Sequence, residues 1–198
     1  MSTRSHPLVL KFGGSLAESG RLAKIAGMAS SASAPFVIVP GGGPFADTVR
    51  GVQPHLQFTD MIAHRIALLA MHQMGHVIAA LNLRFALAAS LDEIGAFLAA
   101  GRIPVWMPYA LQSNDETLPA DWTVTSDALA ARLAERLGGA PVALVKSCPV
   151  PAAPALDQLA AQGVTDPVFS AIVTRAGLDW RIYGSGDEAA LASRLHRS

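Results

Sequence analysis

The stretch Trp122–Lys146 reads WTVTSDALAARLAERLGGAPVALVK. Leucine recurs at every fourth position of Leu129–Leu137, the spacing of residues on one face of a helix. Gly138 and Gly139 stand where helices often end. The apolar run Val142–Val145 that follows is typical of a strand buried on both faces of a parallel sheet. The stretch therefore predicts a helix that leads into a buried strand.

Polar residues stand at both ends of this helix–strand unit. Ser126 and Asp127 lie at the predicted helix start, where either side chain can cap free backbone N–H groups. Lys146 follows the last apolar residue of the strand, and open α/β sheets bind ligands beyond the carboxyl ends of their strands. We therefore expect Asp127 and Lys146 to face one pocket.

Composition limits the classes of protein that the chain can represent. Its 198 residues are 51% hydrophobic, which suits a single domain, 1–198, with a proper core. Fifteen basic and fifteen acidic residues cancel, so no overall field attracts nucleic acid or an anionic membrane. A single cysteine, Cys148, excludes an intrachain disulfide and a thiolate zinc site. We expect a cytoplasmic protein, because neither a secretory segment nor a membrane-spanning apolar run is present.

Two earlier strand patterns end in glycine-rich loops. Leu8–Phe12, which contains Lys11, leads into Gly13-Gly14-Ser15, and Phe36–Val39 leads into Pro40-Gly41-Gly42-Gly43-Pro44. A strand, a glycine turn and a helix present backbone N–H groups to an anion, although GxxxxGK[ST] is absent. One such loop is common for steric reasons alone. The presence of two loops of this kind favours phosphate binding over a purely steric reason for the glycines.

The longest predicted helix begins at Thr59 or Asp60. It is apolar around much of its girth, so we expect a homo-oligomer, a homodimer built partly on this helix. Asp60 lies near the predicted crevice, where it either contacts substrate or only caps the helix. His72 and His76 share a face, but without an HExxH pattern a polar face is favoured over a metal site.

Further strands are predicted at Ala86–Ala89, Ile103–Met107 and Trp180–Tyr183, with helices between them. This alternation predicts a three-layer αβα sandwich with a mainly parallel central sheet. Prolines exclude regular structure in Ser147–Pro154, directly after the strand that ends at Lys146.

Three motifs make the chain resemble the amino acid kinase superfamily, which includes acetylglutamate kinase, aspartokinase and uridylate kinase. They are KFGGS at Lys11–Ser15, VPGGGPFADTVR at Val39–Arg50 and VTSDALAARLA at Val124–Ala134. Within the superfamily the chain most resembles the kinases of methanofuran biosynthesis, which phosphorylate an (aminomethyl)furanyl-methyl phosphate. The residues that carry this likeness are FTDMIAHRIALLAMHQMG at Phe58–Gly75, WMPYAL at Trp106–Leu111 and LPADWTVTSD at Leu118–Asp127.

The resemblance implies an amino acid kinase-like fold and an ATP-dependent kinase that acts on a small anionic acceptor, such as an (aminomethyl)furan phosphate monoester. Mg²⁺ would be bound mostly by the phosphates of ATP, without a metal site of the protein's own. Lys11 and Lys146 would neutralise phosphoryl oxygens, and Asp127 would hold both lysines. The further implied contacts are Gly13, Gly14, Ser15 and Ser126 with nucleotide phosphates, and Gly41, Gly42, Gly43 and Asp60 with the acceptor.

The resemblance weakens after Lys146. Many relatives continue this strand into an Asp-Gly loop, whereas this chain reads SCPVPAAPALDQL and has a short nucleotide-binding part, about 147–198. Two hypotheses therefore stay open. The chain is either an ATP-dependent kinase or a non-catalytic relative that binds an anionic ligand or a partner. Within the kinase class, a carboxylate acceptor is a further alternative.

Overall fold

The computed structural model of the chain describes residues 6–113, 115–151 and 154–196. Its strands are β1 (Leu8–Phe12), β2 (Phe36–Pro40), β3 (Phe85–Ala88), β4 (Ile103–Trp106), β5 (Val142–Val145) and β6 (Trp180–Tyr183). Its helices are α1 (Arg21–Ser30), α2 (Gly43–Leu56), α3 (Asp60–Ala80), α4 (Leu91–Ala99), α5 (Tyr109–Gln112), α6 (Ser126–Arg136), α7 (Leu156–Ala161), α8 (Pro167–Ala176) and α9 (Glu188–Leu195). Gly14–Leu16 forms a short 3-10 turn after β1.

The strands form one six-stranded sheet in the order β3-β4-β2-β1-β5-β6, and the neighbouring pairs are parallel. This confirms the predicted αβα fold class, and the later strands begin within one residue of their predicted starts. The described part of Ser147–Pro154 is irregular as predicted, and Ala152 and Ala153 lie outside the described residues. Among the helices described, none is long and apolar enough to cross a bilayer.

Lys11 is the fourth residue of the central strand β1. β1 lies between β2 and β5, with Phe12 level with Pro40 on one side and Val145 on the other. Val9 packs into the core on the α6 side, whereas Leu10 and Phe12 pack on the α1 side. Because side chains alternate along a strand, Lys11 shares the α6 side with Val9. The carboxyl ends of β1, β2 and β5 reach the same level.

The glycine loops after β1 and β2 pack directly against each other. A Cβ atom on Gly41 would lie 2.4 Å from the backbone nitrogen of Gly14, and one on Gly14 would lie 2.4 Å from that of Gly43. Gly43 also has a φ of +55°, in the left-handed region that favours glycine. These loops therefore need glycine for their mutual contact as well as for any contact with a ligand.

An apolar surface covers α2, α3 and the turn after α3, and we call it the α2–α3 apolar face. It comprises Phe45, Val52, Leu56, Met61, Ile62, Ile66, Leu69, Val77, Leu81 and Leu83, all of which are exposed. The opposite stripe of α3, which includes Leu68, Met71 and Ile78, is buried in the core. α3 is therefore apolar on two faces, as predicted, and one of them is uncovered.

Gly41→Ala tests the contact between the two glycine loops. The added methyl group meets backbone atoms that cannot rotate away, so we expect the free energy of unfolding to fall by about 1–3 kcal/mol. Gly27→Ala, on an open face of α1 with no atom within 4 Å of the added carbon, should raise it by about 0.5–1 kcal/mol. Urea unfolding measures both, and equal stability of the two variants would contradict the packing argument.

Candidate functional site

A cavity of about 370 Å³ opens beyond the carboxyl ends of β1, β2 and β5. The loops after these strands line it together with α2, α3, the start of α6 and the turn before α8. Lys11, Asp127 and Lys146 all reach it. The structure thus brings together the three residues for which the resemblance implies catalytic roles.

Asp127 lies between the two lysines. Its Oδ1 is 2.8 Å from Lys11 Nζ, and its Oδ2 is 2.5 Å from Lys146 Nζ. The second contact is also a hydrogen bond, whereas the first is an ion pair without hydrogen-bond alignment. The side chains are 4% exposed for Asp127, 6% for Lys11 and 13% for Lys146. This cluster carries one net positive charge at the base of the cavity.

The start of α6 explains why Asp127 can face the lysines. Thr125 caps the helix, because its Oγ1 accepts a hydrogen bond of 3.2 Å from the Asp127 backbone N–H. The prediction that Ser126 or Asp127 caps this helix is therefore wrong. The Asp127 carboxylate is free of any capping role and turns towards β1 and β5.

Burial and the neighbouring charges shift the ionisation of Asp127 and Lys146. Burial opposes ionisation of Asp127, but the charges of Lys11 and Lys146 outweigh it and hold the pKa of the Asp127 carboxyl below its ordinary value. Burial and the neighbouring charge of Lys11 lower the pKa of the Lys146 ammonium, although Asp127 opposes the shift. An anion bound beside Lys146 would favour its charged form.

Asp166 is a buried residue of the site that the sequence analysis missed. Its Oδ2 accepts hydrogen bonds from the Thr125 N–H at 3.0 Å, the Thr125 hydroxyl at 2.6 Å and the Ala128 N–H at 3.1 Å. Its Oδ1 accepts from the Phe169 N–H at 2.6 Å, so it also caps α8. Burial and the charge of Asp127 raise the pKa of the Asp166 carboxyl. An aspartate directly before Pro167 is a recognisable helix-start signal.

The glycines of the two loops divide into structural and cavity-lining positions. The Gly13 N–H donates to Val145 O and the Gly41 N–H donates to Phe12 O, each at 2.9 Å. These two donors are engaged in the sheet, and neither glycine lines the cavity. The contacts implied for Gly13 with nucleotide phosphate and for Gly41 with the acceptor stay predictions. Gly14, Ser15, Gly42 and Gly43 do line the cavity, at the start of the 3-10 turn and of α2. The first N–H groups of a helical segment lack partners within it.

Ser15 and Ser126 also line the cavity. Ser15 Oγ lies 2.7 Å from Ser147 Oγ, a hydrogen bond that joins the loops after β1 and β5. Ser126 is the first residue of α6, where the positive end of the helix dipole lies. Both positions suit contact with an anion.

Asp60 does not line the cavity. Thr59 caps α3, and the Asp60 carboxylate instead accepts a hydrogen bond of 2.7 Å from Gln53 Nε2. Gln53 Oε1 in turn accepts a hydrogen bond of 2.6 Å from Trp122 Nε1, and Trp122 forms part of the cavity wall. Any effect of Asp60 on a ligand would therefore pass through Gln53 and Trp122.

The wall near Trp122 carries groups that the sequence analysis did not assign to the site. The Arg50 guanidinium lies over the Trp122 ring, 4.5 Å from its centroid. Arg50 also pairs with Asp47 at 2.6 Å, and both line the cavity. His64 lies in the same wall, where burial lowers the pKa of its imidazole. This side of the cavity is therefore aromatic and carries both signs of charge.

The donor set of the cavity favours anions over a resident metal ion. Within the part of the chain that the structure describes, no three His, Cys, Asp or Glu side chains form a metal-binding group. Both oxygens of Asp127 face lysines, and Asp166 accepts four hydrogen bonds. His72 accepts a hydrogen bond of 3.0 Å from the Tyr109 N–H, which gives it a structural role on α3.

Comparison with known proteins gives a family match and one curated relative. The model of the amino acid kinase family matches residues 7–149. A [5-(aminomethyl)furan-3-yl]methyl phosphate kinase of Methanocaldococcus jannaschii is 27% identical over 123 residues, which cover 61% of this chain. The match spans 56% of that enzyme, little more than half of its length.

Solved structures agree on the fold. A uridylate kinase from Archaeoglobus fulgidus superposes with a TM-score of 0.65 at 17% identity, covering 96% of this chain and 95% of that one. A UMP kinase from Bacillus anthracis gives a TM-score of 0.64 at 14% identity, with coverage of 98% and 94%. At such low identity these likenesses establish the fold alone.

Asp127→Asn tests the buried charge cluster. Removal of the carboxylate leaves two buried ammonium groups unpaired, so we expect the free energy of unfolding at neutral pH to fall by about 3 kcal/mol. Because the pKa of Asp127 is lowered in the folded state, its stabilisation is present above a pH of about 4 and is lost as the pH falls through the folded value. The difference in the free energy of unfolding between the parent and the variant, measured by urea unfolding, should therefore become smaller below about pH 4.

The exposed Asp92→Asn on α4 is the matched control for this experiment, and it should unfold like the parent. A stability gap for Asp127→Asn that stays constant from neutral to acid pH would contradict the charge-cluster argument.

Proposed function

Because the chain belongs to the amino acid kinase family, whose model matches residues 7–149, we propose that it transfers a phosphoryl group from ATP to a small anionic acceptor. The observation that carries this proposal is the buried Lys11–Asp127–Lys146 cluster at the base of a cavity lined by two glycine loops. Phosphoryl transfer requires little covalent help from an enzyme. It depends on positioning and on positive charge around the transferred group.

Each residue of the cluster has a distinct role in this proposal. The ammonium groups of Lys11 and Lys146 stabilise the negative charge that spreads over the phosphoryl oxygens in the transition state. Asp127 is a positioning residue, because it holds both ammonium groups at hydrogen-bonding distance from one carboxylate. The backbone N–H groups of Gly14 and Gly43 add donors at the starts of helical segments.

We assign the nucleotide-binding part to the segment of about 147–198. Its Gly163–Asp166 turn lines the same cavity as Lys146, which supports this assignment although the Asp-Gly loop is missing. The phosphates of ATP, which bring Mg²⁺, would hold that ion themselves, because no metal-binding group of three His, Cys, Asp or Glu side chains occurs among the described residues. The exposed Cys148 is compatible with a reducing cytoplasm, where we place the protein.

For the acceptor we propose a phosphate monoester of an (aminomethyl)furan, as in methanofuran-type cofactor biosynthesis. Support comes from the Methanocaldococcus jannaschii relative, whose name specifies such a substrate. Trp122 supports it further, because an aromatic wall suits a flat ring. The missing Asp-Gly loop favours a second candidate, a non-catalytic protein that binds an anionic ligand in the same cavity.

We also propose that the protein is a homodimer that buries the α2–α3 apolar face. Large exposed apolar surfaces mark interaction sites in soluble proteins. The large hydrophobic residues that are exposed among the described residues concentrate on this one face. A second copy of the chain would cover it with an equally apolar surface.

Lys11→Ala tests the kinase proposal. Loss of one charged donor to the transition state should lower turnover about a hundredfold to a thousandfold, with a much smaller effect on ATP binding. The chain has one lysine outside the cluster, the exposed Lys24 on α1, and Lys24→Ala should keep parental turnover. ADP release with Mg-ATP is measured for (aminomethyl)furanyl-methyl phosphate and for UMP.

ATP binding by calorimetry accompanies the turnover assay. ATP binding without turnover on either acceptor would favour the non-catalytic candidate. Parental turnover in Lys11→Ala would instead remove Lys11 from the proposed mechanism.

Leu69→Glu tests the proposed dimer. Leu69 is 47% exposed on the α2–α3 apolar face, so a glutamate there should convert a dimer into a monomer. Ala23→Glu on the exposed side of α1 introduces the same charge elsewhere and should remain dimeric. Sedimentation velocity at micromolar concentration distinguishes the two forms. A monomeric parent chain would refute the proposal.

A further inference from the structure

Three carboxylates line the cavity, and one of them is not committed to the protein's own architecture. Asp127 is held by two lysines, and Asp166 accepts four hydrogen bonds. Asp47 differs, because its side chain is 59% exposed and it pairs with Arg50 three residues further along α2. An exposed pair of this kind contributes little to stability, so the Asp47 carboxylate can turn to a ligand at small cost.

Arg50 has a second contact besides the one with Asp47. Its guanidinium lies 4.5 Å from the centroid of the Trp122 ring, and such cation–π contacts are attractive in their own right. The Trp122 indole N–H is fixed by Gln53 Oε1, and Gln53 Nε2 donates to Phe58 O at 3.2 Å. Trp122 and Gln53 are therefore held in place before a ligand binds, whereas the Asp47 carboxylate can exchange its partner.

Charge differs between the base of the cavity and its α2 wall. Lys11 and Lys146 make the base cationic, whereas the α2 wall carries the Asp47 carboxylate beside the Arg50 guanidinium, which lies over the Trp122 ring. Asp47 follows Gly43 by four residues, which is about 6 Å along the helix axis. One helix therefore offers backbone N–H groups for a phosphate at its start and a carboxylate one turn further on.

We propose that Asp47 binds the ammonium group of the acceptor and so selects aminated phosphate monoesters. This inference rests on the proposed function, because it names the substrate class of the same cavity. A ligand with a phosphate at one end, a flat ring and an ammonium group at the other end matches this arrangement. The lysines repel the ammonium group from the base while Asp47 attracts it, so both effects fix the ligand in one orientation. A pyrimidine nucleotide carries no cation and gains nothing from Asp47.

The test compares two probes that differ only in the amine. They are [5-(aminomethyl)furan-3-yl]methyl phosphate and its analogue with a methyl group in place of the aminomethyl group. Calorimetry gives their dissociation constants for the parent, for Asp47→Asn and for the control Asp92→Asn. We expect the parent and the control to bind the amine about twofold to fivefold more tightly than the analogue, as for an exposed ion pair. Asp47→Asn should bind both probes alike, with the affinity of the parent for the analogue.

Two results would overturn the inference. They are a parent that does not distinguish the probes, and an Asp47→Asn variant that keeps the preference for the amine. Thermal melts check that the variants fold, which the exposure of Asp47 leads us to expect. The readout is binding and not turnover. An Asp47-dependent preference without phosphorylation of either probe would thus refute the kinase proposal while the assignment of Asp47 stands.

Discussion

The pairing of one buried carboxylate with two lysines is the constraint on which the candidate site depends. Asp127 and Lys11 lie among apolar elements, where an unpaired charge would be costly. Their ion pair offsets part of that cost, and Lys146 brings a second positive charge to the same carboxylate. A cavity that must hold an anion needs this imbalance. A fully neutral cluster would stabilise the protein and leave nothing for a ligand.

The pairing requires three separate segments to meet, and the helix starts make that possible. Thr125 caps α6, and Asp166 bonds to both Thr125 and the Ala128 N–H. Two residues therefore satisfy the first N–H groups of α6, which would otherwise compete for the Asp127 carboxylate. Asp166 also caps α8, so the two helices are joined at the edge of the cavity.

The sequence predicted the fold well because strand patterns and glycine loops are local signals. The apolar runs of β1, β2 and β5 and the glycines after two of them indicated a parallel sheet with an anion site at one edge. The sequence could not predict which glycine N–H groups bond within the sheet and which glycines line the cavity. This difference depends on strand register, which engages the Gly13 and Gly41 N–H groups in the sheet. Asp166 lies about forty residues beyond Thr125, and no pattern of neighbouring residues predicts the hydrogen bond between them.

The segment after β5 lacks the Asp-Gly loop that the resemblance led us to expect. The question is therefore how Lys146 is held without that loop. Arg21 of α1 donates to Lys146 O at 3.0 Å and to Gly184 O at 3.3 Å, and it pairs with Glu188 of α9 at 2.6 Å. The Ser185 N–H also donates to Cys148 O at 2.9 Å. The backbone of Lys146 is therefore anchored from α1, so the direction of its side chain does not depend on an Asp-Gly loop.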